Sequence, residues 1–406
     1  MATRKKILNL TVVVSALGYF VDIYDLVLFS IVRIPSLRSL GVPEDQLLDK
    51  GVTLINLQMI GMLVGGILWG VLGDKKGRVS VLFGSIFMYS VANILNAFVQ
   101  NVEMYGLLRF VAGVGLAGEL GAAITLVSEV TDKESRGYAT SIVAGVGVSG
   151  AILAAIIGEY VSWKAAYIVG GVLGLGLLVL RMKMFDSGMY TNLKKLQIRK
   201  GSFLSLFSTR DRGVRYLSCV LIGVPIWFVI GILITFAPEI TKDLGSTGVV
   251  SAGTGILFAY AGLTVGDFAS GILSQLLRSR RKIVFWFITM TALLILIYLY
   301  SRDMDPSFYY TVCFALGVAA GYWAVFVTIA SEQFGTNMRA TVTTTVPNLV
   351  RGAVVPLTLS FKALQPTFGL VQSALIVGFV TIGVAYMALS FLKETYGKDL
   401  DFIEHI

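Results

Sequence analysis

Ser128-Glu129-Val130-Thr131-Asp132-Lys133-Glu134-Ser135-Arg136-Gly137 returns later in the chain as Ser331-Glu332-Gln333-Phe334-Gly335-Thr336-Asn337-Met338-Arg339-Ala340. Both stretches read Ser-Glu, six residues, Arg, then a small residue, and both close a long apolar run. They stand 203 residues apart, half of the 406-residue chain. A second pair keeps that offset: Lys75-Lys76-Gly77-Arg78 falls opposite Arg278-Ser279-Arg280-Arg281. A basic loop and a Glu…Arg loop repeated at half-length indicate two fused copies of one unit.

The composition says what kind of unit. Hydrophobic residues make up 56% and charged ones 14%, with mean hydropathy +0.80; a soluble domain carries roughly 25% charged residues. Apolar runs longer than about 18 residues recur along the whole chain, which marks a polytopic membrane protein. Twelve spans are expected, near 7–31, 51–72, 79–99, 103–129, 138–160, 163–183, 214–238, 251–277, 283–301, 307–331, 341–364 and 367–392. The expected fold is an all-α membrane protein of twelve transmembrane helices in two six-helix pseudo-symmetric bundles. Residues 1–183 would form the first bundle, 184–213 a cytoplasmic linker and 214–406 the second bundle.

The net charge of +9 does not point to nucleic acid, because the basic residues lie in alternate loops. Of 33 Lys and Arg, 24 fall in the N-terminal tail, the even-to-odd loops and the C-terminus, 7 in the other loops, and Arg109 and Arg351 inside spans. This positive-inside bias places both termini in the cytoplasm, here of a bacterial-type inner membrane. The first apolar run is too long for a signal peptide and lacks a small-x-small cleavage site, so it reads as an uncleaved span. The linker carries Lys194, Lys195, Arg199, Lys200, Arg210 and Arg212, and reads as a topology determinant in contact with anionic lipid. Cys219 and Cys313 lie inside spans without metal-ligand spacing, and the one histidine, His405, is in the tail. Neither a metal nor another cofactor is expected, and proton chemistry within the membrane must use carboxylates.

Span 2 ends in Gly70-Val71-Leu72-Gly73-Asp74-Lys75-Lys76-Gly77-Arg78. The glycines permit a tight turn, and Asp74 can face the N-terminal dipole of span 3. The pattern Gly-x-Leu-x-Asp-x-x-Gly-Arg resembles the loop signature of the major facilitator superfamily. Its second-half partner, Gly271 to Arg278, lacks the Asp. The Glu-x6-Arg loops after spans 4 and 10 resemble those of the sugar-porter and metabolite–proton symporter branches. Tyr24-Asp25 resembles the Glu-Trp-Tyr-Asp-Phe signature of the latter, with Asp22 in place of the Glu, and Asp186 to Tyr190 resembles their Glu-Thr/Ser-Pro-x-Phe segment without its proline. Span 5, Gly145-Val146-Gly147-Val148-Ser149-Gly150, has no proline where proton antiporters of the superfamily carry one. Its glycines read as close helix packing.

Charges inside spans cost on the order of 3 kcal/mol each at the helix centre, so each is a candidate for function. Counted from the expected span ends, Asp25 and Arg109 both lie about 9 Å below the outer surface. The resemblance makes spans 1 and 4 neighbours lining a cavity, so an Asp25–Arg109 ion pair is expected to couple protons, with Glu119 and Asp22 in reserve. Glu119 and Arg351 both lie about 15 Å deep, near the midplane, in opposite halves. Arg351 would either clamp a substrate carboxylate with its planar fork or bridge to Glu119. Asp22, Asp25, Glu119 and Asp267 against Arg109 and Arg351 leave a charge of −2, which makes one carboxylate a proton carrier. Tyr24, Trp227, Tyr260, Tyr322, Trp323 and Asn348 are the further substrate-binding candidates. The resemblance also implies a conformational latch: Asp74, Arg78, Glu129 and Arg136 in one cytoplasmic charge cluster, with Glu332 and Arg339 as its counterpart.

The resulting expectation is a secondary active transporter that takes up a small organic anion with protons by alternating access, its partners being that anion, protons and membrane lipid. A proton-coupled sugar or polyol symporter, or an uncoupled uniporter, is the alternative. A non-transporting membrane sensor is disfavoured by short termini and loops. No catalytic triad, metal cluster or phosphate loop appears, so an enzyme is not expected.

Overall fold

The computed structural model describes residues 10–76, 78–121, 123, 127, 142–185, 203–397 and 404. Among them no strand occurs, and the helices follow the expected spans. Spans 1 to 3 are Leu10–Ser39, Leu47–Lys76 and Arg78–Asn96, and span 4 opens with Val102–Leu116. Spans 5 and 6 are Ile142–Tyr160 and Trp163–Phe185. Span 7 is broken into Arg210–Leu221, Val224–Phe228, a π-helical turn Val229–Ile234 and Ala237–Asp243. Spans 8 and 9 are Ala252–Leu276 and Arg280–Tyr300, and span 10 is split into Pro306–Ala320 and Trp323–Gln333. Span 11 opens with Thr336–Gly352; the helix Val354–Phe391 then carries both its continuation and span 12, separated at Gly369, where φ is 76°. Helical spans are the expected solution in lipid, since every backbone polar group is satisfied within the segment.

The repeat seen in the sequence reappears as packing. Spans 2 and 4 touch through glycines: a Cβ on Gly61 would meet the Phe110 carbonyl, one on Gly65 the Val114 carbonyl, and one on Gly113 the Gln58 carbonyl. Spans 8 and 10 do the same with Gly262 against Phe314, Gly266 against Val318 and Gly317 against Ala259. Without a hydrophobic drive between helices in lipid, small residues let backbones approach and collect dispersion contacts. The span 5 glycines behave as expected, Gly147 against the Tyr19 ring and Gly150 against the Phe20 carbonyl of span 1.

With spans of alternating direction, the start of span 1 and the end of span 12 lie at one end of the helix assembly, called here the terminal face; the opposite end is the distal face. At the distal face the two halves are pinned together. Arg33 of span 1, fully buried, pairs with Glu239 of span 7 at 2.6 Å and lies 4.8 Å from the Phe236 ring centroid. Thr235 donates to Ser30 at 3.2 Å, Ser251 to Glu159 at 3.4 Å, and Lys362 pairs with Asp49 at 3.0 Å. Thr358 donates to Asn56 at 2.7 Å one layer deeper.

Candidate functional site

The centre of the assembly is a narrow cavity between the halves. It is lined by Tyr19 and Ile23 of span 1, Val148 of span 5, Ile226, Trp227 and Ile230 of span 7, Tyr260 and Leu263 of span 8, Trp323 of span 10 and Arg351 of span 11. Its volume is about 20 Å³, room for about one water molecule and no metabolite. The walls come from places where helices break. Trp227 follows Pro225 and precedes the π turn, where Thr235 N–H bonds Ile230 O five residues back at 3.2 Å; such turns recur at functional sites. Trp323 opens the second segment of span 10, and Arg351 sits in the last turn of Thr336–Gly352, where the helix dipole favours a cation.

Arg351 is the chemical centre of this cavity. Its Nη2 lies 3.6 Å from Asp22 Oδ2, both side chains fully buried, and its Cζ lies 5.6 Å from the Trp323 ring centroid. At that separation the ion pair contains no hydrogen bond: Nε, Nη1 and Nη2 of Arg351 and both Asp22 oxygens lack partners. An unsatisfied buried polar group costs about 1–3 kcal/mol, more when charged. The guanidinium therefore has donors free for an acceptor with two oxygens. The expected bridge from Arg351 to Glu119 does not form.

Glu119 is instead taken by Arg181 of span 6, with Nη1–Oε2 at 3.0 Å and Nη2–Oε1 at 2.5 Å, both side chains at most 2% exposed. Arg181 Nη2 also reaches the Val14 carbonyl at 3.5 Å. The charge tally changes accordingly. Arg33 and Arg181, read as loop residues, are buried beside Arg109 and Arg351. Arg33 is taken by Glu239 and Arg181 by Glu119, so the expected excess of −2 falls to −1.

The expected Asp25–Arg109 ion pair is also absent. Both side chains are fully buried, and neither carboxylate oxygen nor any guanidinium nitrogen has a hydrogen-bond partner. Span 1 continues to Ser39 rather than ending near residue 31, so Asp25 lies about 21 Å from its distal end and the depths counted from the expected span ends do not fix the pairing. Arg109 packs on rings instead, 5.3 Å from the centroid of Phe29 and 5.7 Å from that of Tyr167. A chain of hydroxyls holds that ring. Ser36 donates to Arg33 O at 3.0 Å and Tyr105 donates to Ser36 at 3.3 Å, so Tyr167 must be the donor in its 2.7 Å contact with Tyr105.

Of the residues expected to bind substrate, Arg351, Trp227, Tyr260 and Trp323 line the cavity. Tyr24, Tyr322 and Asn348 are engaged elsewhere, donating respectively to Ala166 O at 2.8 Å, to Ile222 O at 2.9 Å, and to Ala117 O at 2.9 Å across the two halves. Tyr19 is a wall residue that the sequence reading missed; it lies one helical turn before Asp22, a spacing that could have nominated it. In the latch, Glu129 and Arg136 lie outside the described residues, as do the side chains of Asp74 and Arg78, whose backbones end span 2 and open span 3. In the second copy, Glu332 takes Arg280 as a two-pronged partner at 2.6 and 2.8 Å rather than Arg339, whose guanidinium donates to Ser331 O at 3.0 Å. Among the described residues no group of three or more His, Cys, Asp or Glu is placed to hold a metal.

Comparison with known proteins agrees with this architecture. The family model described as Major Facilitator Superfamily matches residues 15–355. A Haemophilus influenzae protein described as "Putative metabolite transport protein" is 27% identical over 407 residues, covering 95% of this chain and 96% of its own. The 4-hydroxybenzoate transporter PcaK of Pseudomonas putida is 27% identical over 245 residues, 52% of this chain and 54% of its own. The crystal structure of a D-xylose-proton symporter shares the fold at a TM-score of 0.70 and 17% identity, covering 96% of this chain and 99% of that one.

Proposed function

The chain belongs to the Major Facilitator Superfamily, and on that footing we propose that it imports a small organic carboxylate together with protons by alternating access. The observation that carries this is Arg351, fully buried, without a hydrogen bond, and facing a cavity walled by Tyr19, Trp227, Tyr260 and Trp323. A bidentate carboxylate satisfies a guanidinium fork, and aromatic walls suit a flat ring beside it. The name of the 4-hydroxybenzoate relative fits such a substrate.

Charge conservation supplies the coupling. Asp22 and Arg351 are neutral together. A substrate carboxylate that takes Arg351 displaces Asp22 and leaves one uncompensated negative charge in a dry site, which a proton on Asp22 or on the nearby Asp25 removes. Asp25, with no cation in contact, is the first candidate carrier and Asp22 the second. Arg109, held on its rings, is the partner that Asp25 meets in another conformation. Glu119, held by Arg181, is assigned to structure. Tyr24 and Tyr322 frame the site from behind, and Asn348 joins the halves beside it.

Alternating access needs a closure at each face. The distal pins around Arg33 and Glu239 form one. The Asp74, Arg78, Glu129 and Arg136 loops, with Glu332, Arg280 and Arg339 in the second copy, form the other. The basic bias of the terminal-face loops puts that face, with both termini, in the cytoplasm.

The test is uptake of 4-hydroxybenzoate, benzoate and D-xylose into proteoliposomes with and without an imposed pH gradient. The expected outcome is accumulation of the carboxylates, driven by the gradient and abolished in Asp25→Asn while exchange persists. Accumulation of xylose alone would replace the carboxylate reading, and indifference to the gradient would remove proton coupling.

A further inference from the structure

Asp267 of span 8 is a buried carboxylate that the scheme above does not use. It is 6% exposed, and among the described residues no Lys or Arg stands within ion-pair distance of it. Its Oδ1 accepts the Ala324 N–H at 3.2 Å, while Oδ2 has no partner. A small second void is bounded by Asp267, Phe268, Ala324, Ala144 and Gly145. Ala324 lies in the first turn of Trp323–Gln333, so Asp267 caps this half of the broken span 10 from a neighbouring helix. A carboxylate is well matched there, since the exposed N–H groups and the helix dipole both favour negative charge.

The surrounding backbone is arranged so that this contact can form. Span 10 breaks at Gly321 and Tyr322. A Cβ on Gly321 would stand 2.5 Å from Gly266 Cα and 2.7 Å from Asp267 N, so only glycine lets the two backbones meet. Tyr322 is clipped to the Ile222 carbonyl of span 7. With the break fixed on one side by Tyr322 and on the other by Asp267, the first residue of the new helix is Trp323. Its ring lies over Arg351 and against Phe326, whose ring centroid is 4.8 Å away. The Trp323 indole N–H has no partner of its own, so nothing at that end of the ring holds it.

We infer that Asp267 is a positioning residue of the binding cavity: by capping the second segment of span 10 it fixes the Trp323 ring over Arg351 and so sets affinity for the substrate. The consequence for binding rests on the reading that Trp323 and Arg351 touch the substrate; the consequence for Trp323 itself does not.

The experiment uses the full chain, in detergent for binding and fluorescence and in proteoliposomes for uptake, with 4-hydroxybenzoate and benzoate as probes. The emission of Trp323 is taken as the difference between each variant and the same variant carrying Trp323→Phe. Asp267→Asn keeps an acceptor oxygen and should bind the probes within about twofold of the parent. Asp267→Ala removes the cap; its KM should rise about tenfold with maximal uptake little changed, and acrylamide should quench Trp323 more strongly. Ala324→Pro removes the N–H at a first-turn position that tolerates proline and should reproduce the alanine variant if that one folds poorly. Parent-like quenching and KM in both Asp267→Ala and Ala324→Pro overturn the inference. So does Asp267→Asn falling as far as Asp267→Ala, because charge rather than the cap would then matter. If Arg351→Ala binds the probes normally while Asp267→Ala still loosens Trp323, the substrate reading fails and the positioning role stands.

Discussion

Glu119 with Arg181 and Asp25 with Arg109 are two acid–arginine couples buried in the first six spans, and they are held in opposite ways. The first is closed, with two parallel contacts at 2.5 and 3.0 Å. The second is open, with every charged atom lacking a hydrogen bond and the arginine resting on aromatic faces. Both face the same penalty for leaving water. A closed pair offsets that penalty in one conformation and so fixes it. An open pair leaves interaction energy unused in this conformation, and that energy is available to another one. Asp22 and Arg351, at 3.6 Å, stand between the two extremes and across the two halves.

The largest effect should come from breaking the closed pair. Arg181→Ala leaves Glu119 buried without a cation and should destabilise the protein by about 3–5 kcal/mol. A combined Glu119→Leu, Arg181→Met replacement, which removes both charges, should recover most of it. Melting temperature and monodisperse yield in detergent measure this. Arg109→Gln, which touches the open couple, should melt within about 2 kcal/mol of the parent, the range of its ring contacts. Equal losses at positions 181 and 109 would erase the distinction.

Arg351→Lys tests the intermediate case. It keeps the charge opposite Asp22 but loses the fork, so carboxylate binding should weaken by about ten- to a hundredfold, from the 1.5–3 kcal/mol of a hydrogen bond to a charged group. Stability should change less than in Arg181→Ala. Unaltered affinity would place the substrate elsewhere.

A smaller change should follow at the distal face. Glu239→Gln removes the charge that holds Arg33 across the halves while keeping a hydrogen-bond acceptor. The closed distal arrangement should lose about 1 kcal/mol, the order of a charge-assisted contact relative to a neutral one. A cysteine at Ser30, whose hydroxyl meets Thr235, would report this as severalfold faster labelling by a membrane-impermeant thiol reagent. The native Cys219 and Cys313 are buried and contribute little background. An unchanged labelling rate would mean that the Arg33–Glu239 pair does not govern closure.

What could be read beforehand follows from range. The spans and the repeat were legible because hydropathy and loop motifs are local, and the span 5 glycines Gly147 and Gly150 pack closely as read. The aromatic and arginine wall of the cavity was legible because costly residues inside spans are few. Pairing was not. Depth counted at 1.5 Å per residue depends on where a span ends, and span 1 runs on to Ser39 because Arg33 finds Glu239 and need not reach water. Arg181 lies close enough to the end of span 6 to read as a side chain reaching for the interface. It turns inward because Glu119 is there, and no local pattern records a partner 62 positions away.

The smallest effect concerns a carboxylate outside the spans that has every partner Asp25 lacks. Glu394, three residues beyond the last helix, accepts from the Ser279 hydroxyl and from the backbone N–H of Arg280 at 3.0 Å, Arg281 at 3.2 Å and Tyr396 at 3.0 Å. Partial burial works against its charge, but the Ser279 hydroxyl and these N–H groups outweigh it and hold its pKa down at about 2. In the unfolded chain a glutamate titrates near 4.3. Between those values the unfolded state binds more protons than the folded one, so stability falls as pH falls. The contribution is fully present above about pH 4.3 and is gone near pH 2. Because Glu394 is solvent-exposed, screening keeps the effect modest. Melting curves in detergent from pH 6 to pH 3 should fall more steeply for the parent than for Glu394→Gln, which has no proton to take up at that position. If the two curves stay parallel, these donors do not hold the carboxylate ionised, and a full set of partners would not be what separates a structural carboxylate from one free to carry a proton.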